Sequence, residues 1–144
     1  MNIFEALRED HQKQRTLVKI LARTHGDSEG RNEIFAKLKK ELEDHAKAEE
    51  RHFYVPLMKD DLTQEKARHS VAEHHELDEL VETLEKTDFS SPGWVSTAKK
   101  LEERLTHHLD EEEHEVFQMA GKALTEAQKV ELASAYRKEM EAAE

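Results

Sequence analysis

Shifted by 63 residues, the sequence lies over itself without a gap. His11 falls on His74, Leu17 on Leu80, Val18 on Val81 and Leu21 on Leu84. Further along, Gly30 falls on Gly93, Lys37 on Lys100, Leu38 on Leu101, Leu42 on Leu105 and Tyr54 on Phe117. The figure His-x-x-x-Glu at His45 and Glu49 returns at His108 and Glu112. A repeat of this length means that whatever one copy folds into, the other must match. The matching positions are mostly apolar and recur at helical intervals. The expected unit is a helical hairpin, once over about residues 3–57 and again over about 66–119.

Local signals divide each copy. Asn2 with Glu5 forms a capping-box pattern at the start of a helix over about 3–24. Its stripe is Phe4, Leu7, His11, Val18 and Leu21. A turn follows at Thr24-His25-Gly26-Asp27-Ser28-Glu29-Gly30. The second helix, about 32–57, carries Phe35, Leu38, Leu42, His45 and Glu49, then His52 or Phe53, then Pro56, which should end or kink it. Thr63 is an expected N-cap for the third helix. The third stripe is Ala67, Val71, His74, Asp78 or Leu77, Val81 and Leu84. Ser91 and Pro92 open a fourth helix over about 92–119. Its stripe is Trp94, Ala98, Leu101, Leu105, His108, Glu112, Val116 and Met119, with Gly121 suited to its end. Thr125 and Gln128 begin a short fifth helix over about 125–142, with Val130, Ala133, Tyr136 and Met140 as its best stripe. It lies outside the repeat, and either the bundle or a second chain is its expected support. The whole, residues 1–144, reads as one all-α domain, an up-down-up-down four-helix bundle with one helix added.

On these stripes His11, His45, Glu49, His74, His108 and Glu112 face the expected core. A charged carboxylate inside a bundle costs several kcal/mol unless it is paired or bound to metal. No Lys or Arg shares the level on all four stripes, and Arg15 is the one basic side chain nearby. Two metal ions are the simpler compensation: both Glu bridge, and each ion takes two His. Imidazole with carboxylate and no thiolate suits Fe, Mn or Zn. A Glu shared by two six-coordinate ions favours Fe or Mn over tetrahedral Zn. Open positions would remain for an oxo or hydroxo bridge or a small added ligand. The other histidines take the plain reading: His25 in a turn, and His52, His69, His75, His107 and His114 as solvated flanks.

The rest of the chain excludes several classes. It has no cysteine, so disulfides, iron–sulfur clusters and Cys nucleophiles drop out. The formal net charge of −11 repels phosphate backbones, so neither nucleic acid nor an anionic membrane is an expected partner. No run approaches the roughly 18 apolar residues of a membrane span. Met1-Asn2-Ile3-Phe4-Glu5 leads into no signal-peptide core, which makes the cytoplasm the expected compartment.

Asp10-His11, His45-x3-Glu49-Glu50 running to Phe53-Tyr54-Val55-Pro56, Glu73-His74-His75-Glu76, and His107-His108-x3-Glu112-Glu113 running to Val116-Phe117 together resemble the hemerythrin-like, or HHE cation-binding, family. The resemblance spans about residues 10–117. It implies a four-helix bundle with a non-heme di-iron centre, in which His11 and His45 hold one iron, His74 and His108 the other, and Glu49 and Glu112 bridge. The chain departs from the oxygen carriers of that family. Asp78 stands where they have a second third-helix histidine, and Glu112 follows His108 by four residues where they have an Asp at five. Asp78 is a possible seventh ligand, a partner that orients His74, or a partner of Arg15, its repeat equivalent.

The leading expectation is a di-iron protein that binds or reacts with dioxygen, peroxide or nitric oxide, as a sensor, buffer or detoxifier. Arg15, Tyr54 and Asp78 are the expected tuning residues around it. No residue is assigned as catalytic, and no stretch implies a large organic substrate. The alternatives are iron binding or storage without turnover, and a metal-free helical interaction module. A monomer and a homodimer are both compatible with the sequence, and a signalling role would need a separate partner.

Overall fold

A computed structural model describes residues 1–144, and every regular element in it is helical. In chain order these are α1 (Ile3–Leu21), α2 (Glu29–Glu49), α3 (Val55–Met58), α4 (Gln64–Lys86), α5 (Pro92–Glu111), α6 (Phe117–Ala123) and α7 (Glu126–Ala143). A π-helical turn at Glu50–Tyr54 joins α2 to α3, and another at Glu112–Val116 joins α5 to α6. The bundle is formed by α1, by the α2–α3 rod, by α4 and by the α5–α6 rod. The last helix, α7, lies against α1 and α2 of the same chain.

Caps account for most of the starts. Asn2 and Glu5 close a reciprocal capping box, as do Thr125 and Gln128, and the Ser91 hydroxyl accepts from the Trp94 N–H. Ser28 does the same for Arg31 N–H, so α2 begins three residues earlier than the turn signal suggests. Thr63 is not a side-chain cap: its hydroxyl is drawn away to donate to the Leu57 carbonyl at 2.6 Å. Helix α1 stops at Leu21, short of the expected 24, and Gly121 lies inside α6, which runs on to Ala123.

The two π turns explain where the stripes slip. Each inserts one extra residue per turn, so the buried position after Glu49 and Phe53 is Leu57 and not Pro56. In the second copy it is Ala120 and not Met119. Pro56 is not the cause, because the same turn forms at Glu112–Val116 with no proline after it. The helix continues through Pro56 to Met58.

The core is divided in two. One apolar cluster holds Ile3, Leu7, Phe53, Tyr54, Phe117 and Tyr136, and the other Val18, Leu38, Leu84, Trp94, Leu101 and Leu105. At the far end of the second cluster Arg31 is 1% exposed. Its guanidinium donates to the Thr24 carbonyl at 2.5 Å and to the Phe89 carbonyl, and lies 4.3 Å above the Trp94 ring centroid. One cation thus ties the loops of both hairpins together. Between the two clusters lies a polar layer. In α7, Ala133 and Tyr136 are buried while Val130 is exposed.

Candidate metal centre

The polar layer contains all six side chains that the sequence placed on core-facing stripes. His11 comes from α1, His45 and Glu49 from α2, His74 from α4, His108 from α5, and Glu112 from the first residue of the second π turn. None is more than 6% exposed. Each histidine turns Nε2 inward, onto the two carboxylates. His74 Nε2 is 3.1 Å and His45 Nε2 3.4 Å from Glu49 Oε1. His11 Nε2 is 3.2 Å from Glu112 Oε1 and 3.9 Å from Glu49 Oε2, and His108 Nε2 is 3.7 Å from Glu112 Oε2. The rings pair within hairpins, with centroids 5.2 Å apart for His11 and His45 and 4.9 Å for His74 and His108.

Each outward Nδ1 is held by a group the sequence reading did not assign. His11 Nδ1 meets Glu113 Oε2 at 2.6 Å, and His74 Nδ1 meets Glu50 Oε1 at 3.1 Å. Glu50 and Glu113 are equivalent under the 63-residue shift, so each hairpin holds the first histidine of the other. The second histidines follow the same plan with one change. His108 Nδ1 meets Glu73 Oε1 at 2.9 Å. Asp10 is the equivalent of Glu73 but one methylene shorter, and it reaches His45 through Tyr136. The Tyr136 hydroxyl lies 2.6 Å from His45 Nδ1 and donates to Asp10 Oδ2. The repeat itself was the available signal for the Glu50–Glu113 pair. For Tyr136 there was none, because α7 has no counterpart in the repeat.

Burial and crowding set the charges. Burial, then the charge of Glu49, push the Glu112 carboxyl well above the usual range. Burial opposes a charge on His74, yet Glu49 and Glu50 outweigh it and raise its pKa to about 9. Burial alone would raise Glu113, but His11 and Arg15 bring it down to about 2. Because the folded value lies below that of a free glutamate, about 4.5, Glu113 contributes stability above that pH and loses it as pH falls toward 2. Acid titration of the metal-free protein, followed by circular dichroism, should therefore show a stability loss in that window that Glu113→Gln flattens.

The donors fit a metal. His11 Nε2, His45 Nε2, His108 Nε2, both Glu49 oxygens and Glu112 Oε1 are buried with no hydrogen-bond partner. Buried polar atoms are rarely left so, and inward Nε2 with an anchored Nδ1 is how ligating histidines are held. Two sets lie close enough to hold a cation: Glu49, His74, His108 and Glu112, and His11, His45 and Glu49.

The neighbouring residues sort as follows. Tyr54 donates its hydroxyl to Glu112 Oε2. Arg15 does not pair with Asp78; it reaches Asp110 and Glu113, each at 3.0 Å, because α5 passes closer to it than α4 does. Asp78 is exposed and belongs to neither set, although it borders a small cavity that His45, His74 and His108 also line. His25, His69, His75, His107 and His114 are exposed, whereas His52 is half-buried and meets Glu139 of α7 at 3.0 Å.

No helix is long and apolar enough to cross a membrane. The family model of the hemerythrin HHE cation-binding domain matches residues 2–120. No curated protein matches the chain. A hemerythrin HHE cation-binding domain-containing protein from Mycobacterium kansasii, known from its crystal structure, is 26% identical with a TM-score of 0.89, over 99% of this chain and 87% of that one. With the repeat, the buried His/Glu layer and the match over most of its length, this chain belongs to the hemerythrin HHE cation-binding domain family.

Proposed function

We propose that His11, His45, Glu49, His74, His108 and Glu112 would hold two iron ions, the first pair of histidines beside one and the second pair beside the other, and that the protein, so loaded, binds or reacts with dioxygen, peroxide or nitric oxide. The observation that carries this reading is the convergence of four Nε2 atoms on two buried carboxylates while all four Nδ1 atoms are held from outside. Six nitrogen and carboxylate donors without thiolate, too many for one tetrahedral ion, favour iron or manganese over zinc.

Two irons, when bound, would supply a two-electron couple for a small oxidant. The chain's own residues do the rest. Glu50, Glu73, Glu113 and Tyr136 fix the rings and raise their basicity. Tyr54 holds one oxygen of Glu112 in place. Arg15 offsets the charge of Glu113 at the rim. The apolar layers on either side keep bulk water from the donors.

The test is iron content with an anaerobic-to-aerobic optical titration. Two irons per chain, with a charge-transfer band that responds to oxygen, peroxide or nitric oxide, is the expected result. Iron without any optical response leaves storage as the function. A chain that takes up no iron from a replete source, yet folds equally well, overturns the reading.

A further inference from the structure

The cavity beside the centre is lined by residues of both hairpins. Leu42 and Leu105 on its wall are repeat equivalents, and so are His45 and His108. Gln14 and Leu77 form a third such pair, and here the chemistry differs. A wall that obeyed the repeat would set leucine against leucine. Gln14 instead brings an amide to a position 1% exposed, and its Nε2 has no hydrogen-bond partner. Burying an unpaired amide opposes folding, and leucine at Leu77 shows that an apolar side chain packs against the same space.

The other polar groups on this wall are committed or of the wrong kind. The Nε2 atoms of His45 and His108 also lack a hydrogen-bond partner, but with the histidine Nδ1 atoms donating to Tyr136, Glu50 and Glu73, Nε2 is a lone pair for the metal and not a donor. Asp78, once ionised, only accepts. Gln14 Nε2 is therefore the free donor of the wall. The cavity measures about 10 Å³, the space of one water-sized group.

We propose that Gln14 donates a hydrogen bond across this cavity to the outer atom of a ligand held at the centre, so that the site favours small ligands ending in a hydrogen-bond-accepting atom, such as azide or hydroperoxide. The proposal rests on the iron centre proposed above and adds its ligand preference. Gln14 is a specificity-determining residue that touches the ligand and not the metal.

The experiment is azide titration of the oxidised, iron-loaded protein, with iron content measured on each sample. Gln14→Leu copies the wall at Leu77, and Gln14→Glu keeps the shape while turning a donor into an acceptor. Both are expected to hold the wild-type amount of iron. Both should raise the azide Kd by at least about tenfold, the scale of one hydrogen bond to a charged group, with the larger rise in Gln14→Glu. The metal-free Gln14→Leu protein should melt no lower than wild type. An azide Kd unchanged in both loaded variants overturns this inference and leaves the iron centre standing. Loss of iron from both variants overturns it too, since Gln14 would then support the metal and not the ligand. A wild-type chain without iron overturns the centre itself, and the inference with it.

Discussion

Replacing His45 and His108 together by alanine is expected to abolish iron binding and, with it, the rise in Tm that iron produces. Each hairpin then loses one of its two inward Nε2 atoms, and Glu49 and Glu112 lose a neighbour each. A ligand that binds only the folded state stabilises it by about 4 kcal/mol at a thousand times its Kd. For a chain of this size that corresponds to about 10 °C in Tm. The wild type should therefore melt about 10 °C higher with iron than without, and the double variant should show no such difference. Without metal the double variant should melt lower than the wild type, because two buried rings are replaced by cavities, so the difference that iron makes within each protein is the quantity to compare. Metal analysis with calorimetry in the presence and absence of iron reads both effects. Equal iron content and an equal rise in the variant would leave a helical module whose repeat has no chemical purpose.

The second large effect is expected at a residue outside the repeat. Tyr136→Phe removes one oxygen and keeps the packing against Asp10 and His45. His45 Nδ1 then has no anchor, and Asp10, 8% exposed, loses the hydroxyl donor. Loss of such an outer partner typically weakens metal binding by about 10- to 100-fold. The loss should fall on the ion beside His11 and His45, because His108 keeps its direct bond to Glu73. Iron titration of the variant should thus split into a tight ion and a weak one. Tyr136→Ala adds a cavity in a cluster that also holds Ile3, Leu7 and Phe53, at a cost of about 3–5 kcal/mol. A Tyr136→Phe protein that binds both ions as the wild type does would reduce α7 to packing.

The asymmetries of the repeat are where the two halves are specialised. Asp10 against Glu73, Gln14 against Leu77, Arg15 against Asp78 and Tyr54 against Phe117 are all equivalent pairs of unlike chemistry, and most of them border the polar layer. Tyr54 donates to Glu112, whereas the Phe117 ring stacks 6.0 Å from that of His11. The two halves of the polar layer are thus built on one plan but are not alike.

Helical period, caps and the 63-residue shift were enough to determine the all-helical bundle and to bring His11, His45, Glu49, His74, His108 and Glu112 onto inward stripes, because each of these is a local property of the chain. What lay beyond them depended on distances between segments far apart in sequence. The π turns moved the stripe by one residue after Glu49 and Glu112, and no local pattern announces an inserted residue. Arg15 found Asp110 and Glu113 instead of Asp78, a choice set by which helix packs beside α1. The docking of α7 placed Tyr136 between Asp10 and His45, 126 and 91 residues away in the chain. Periodicity tells a side chain which way to face; only the packed bundle decides what it meets there.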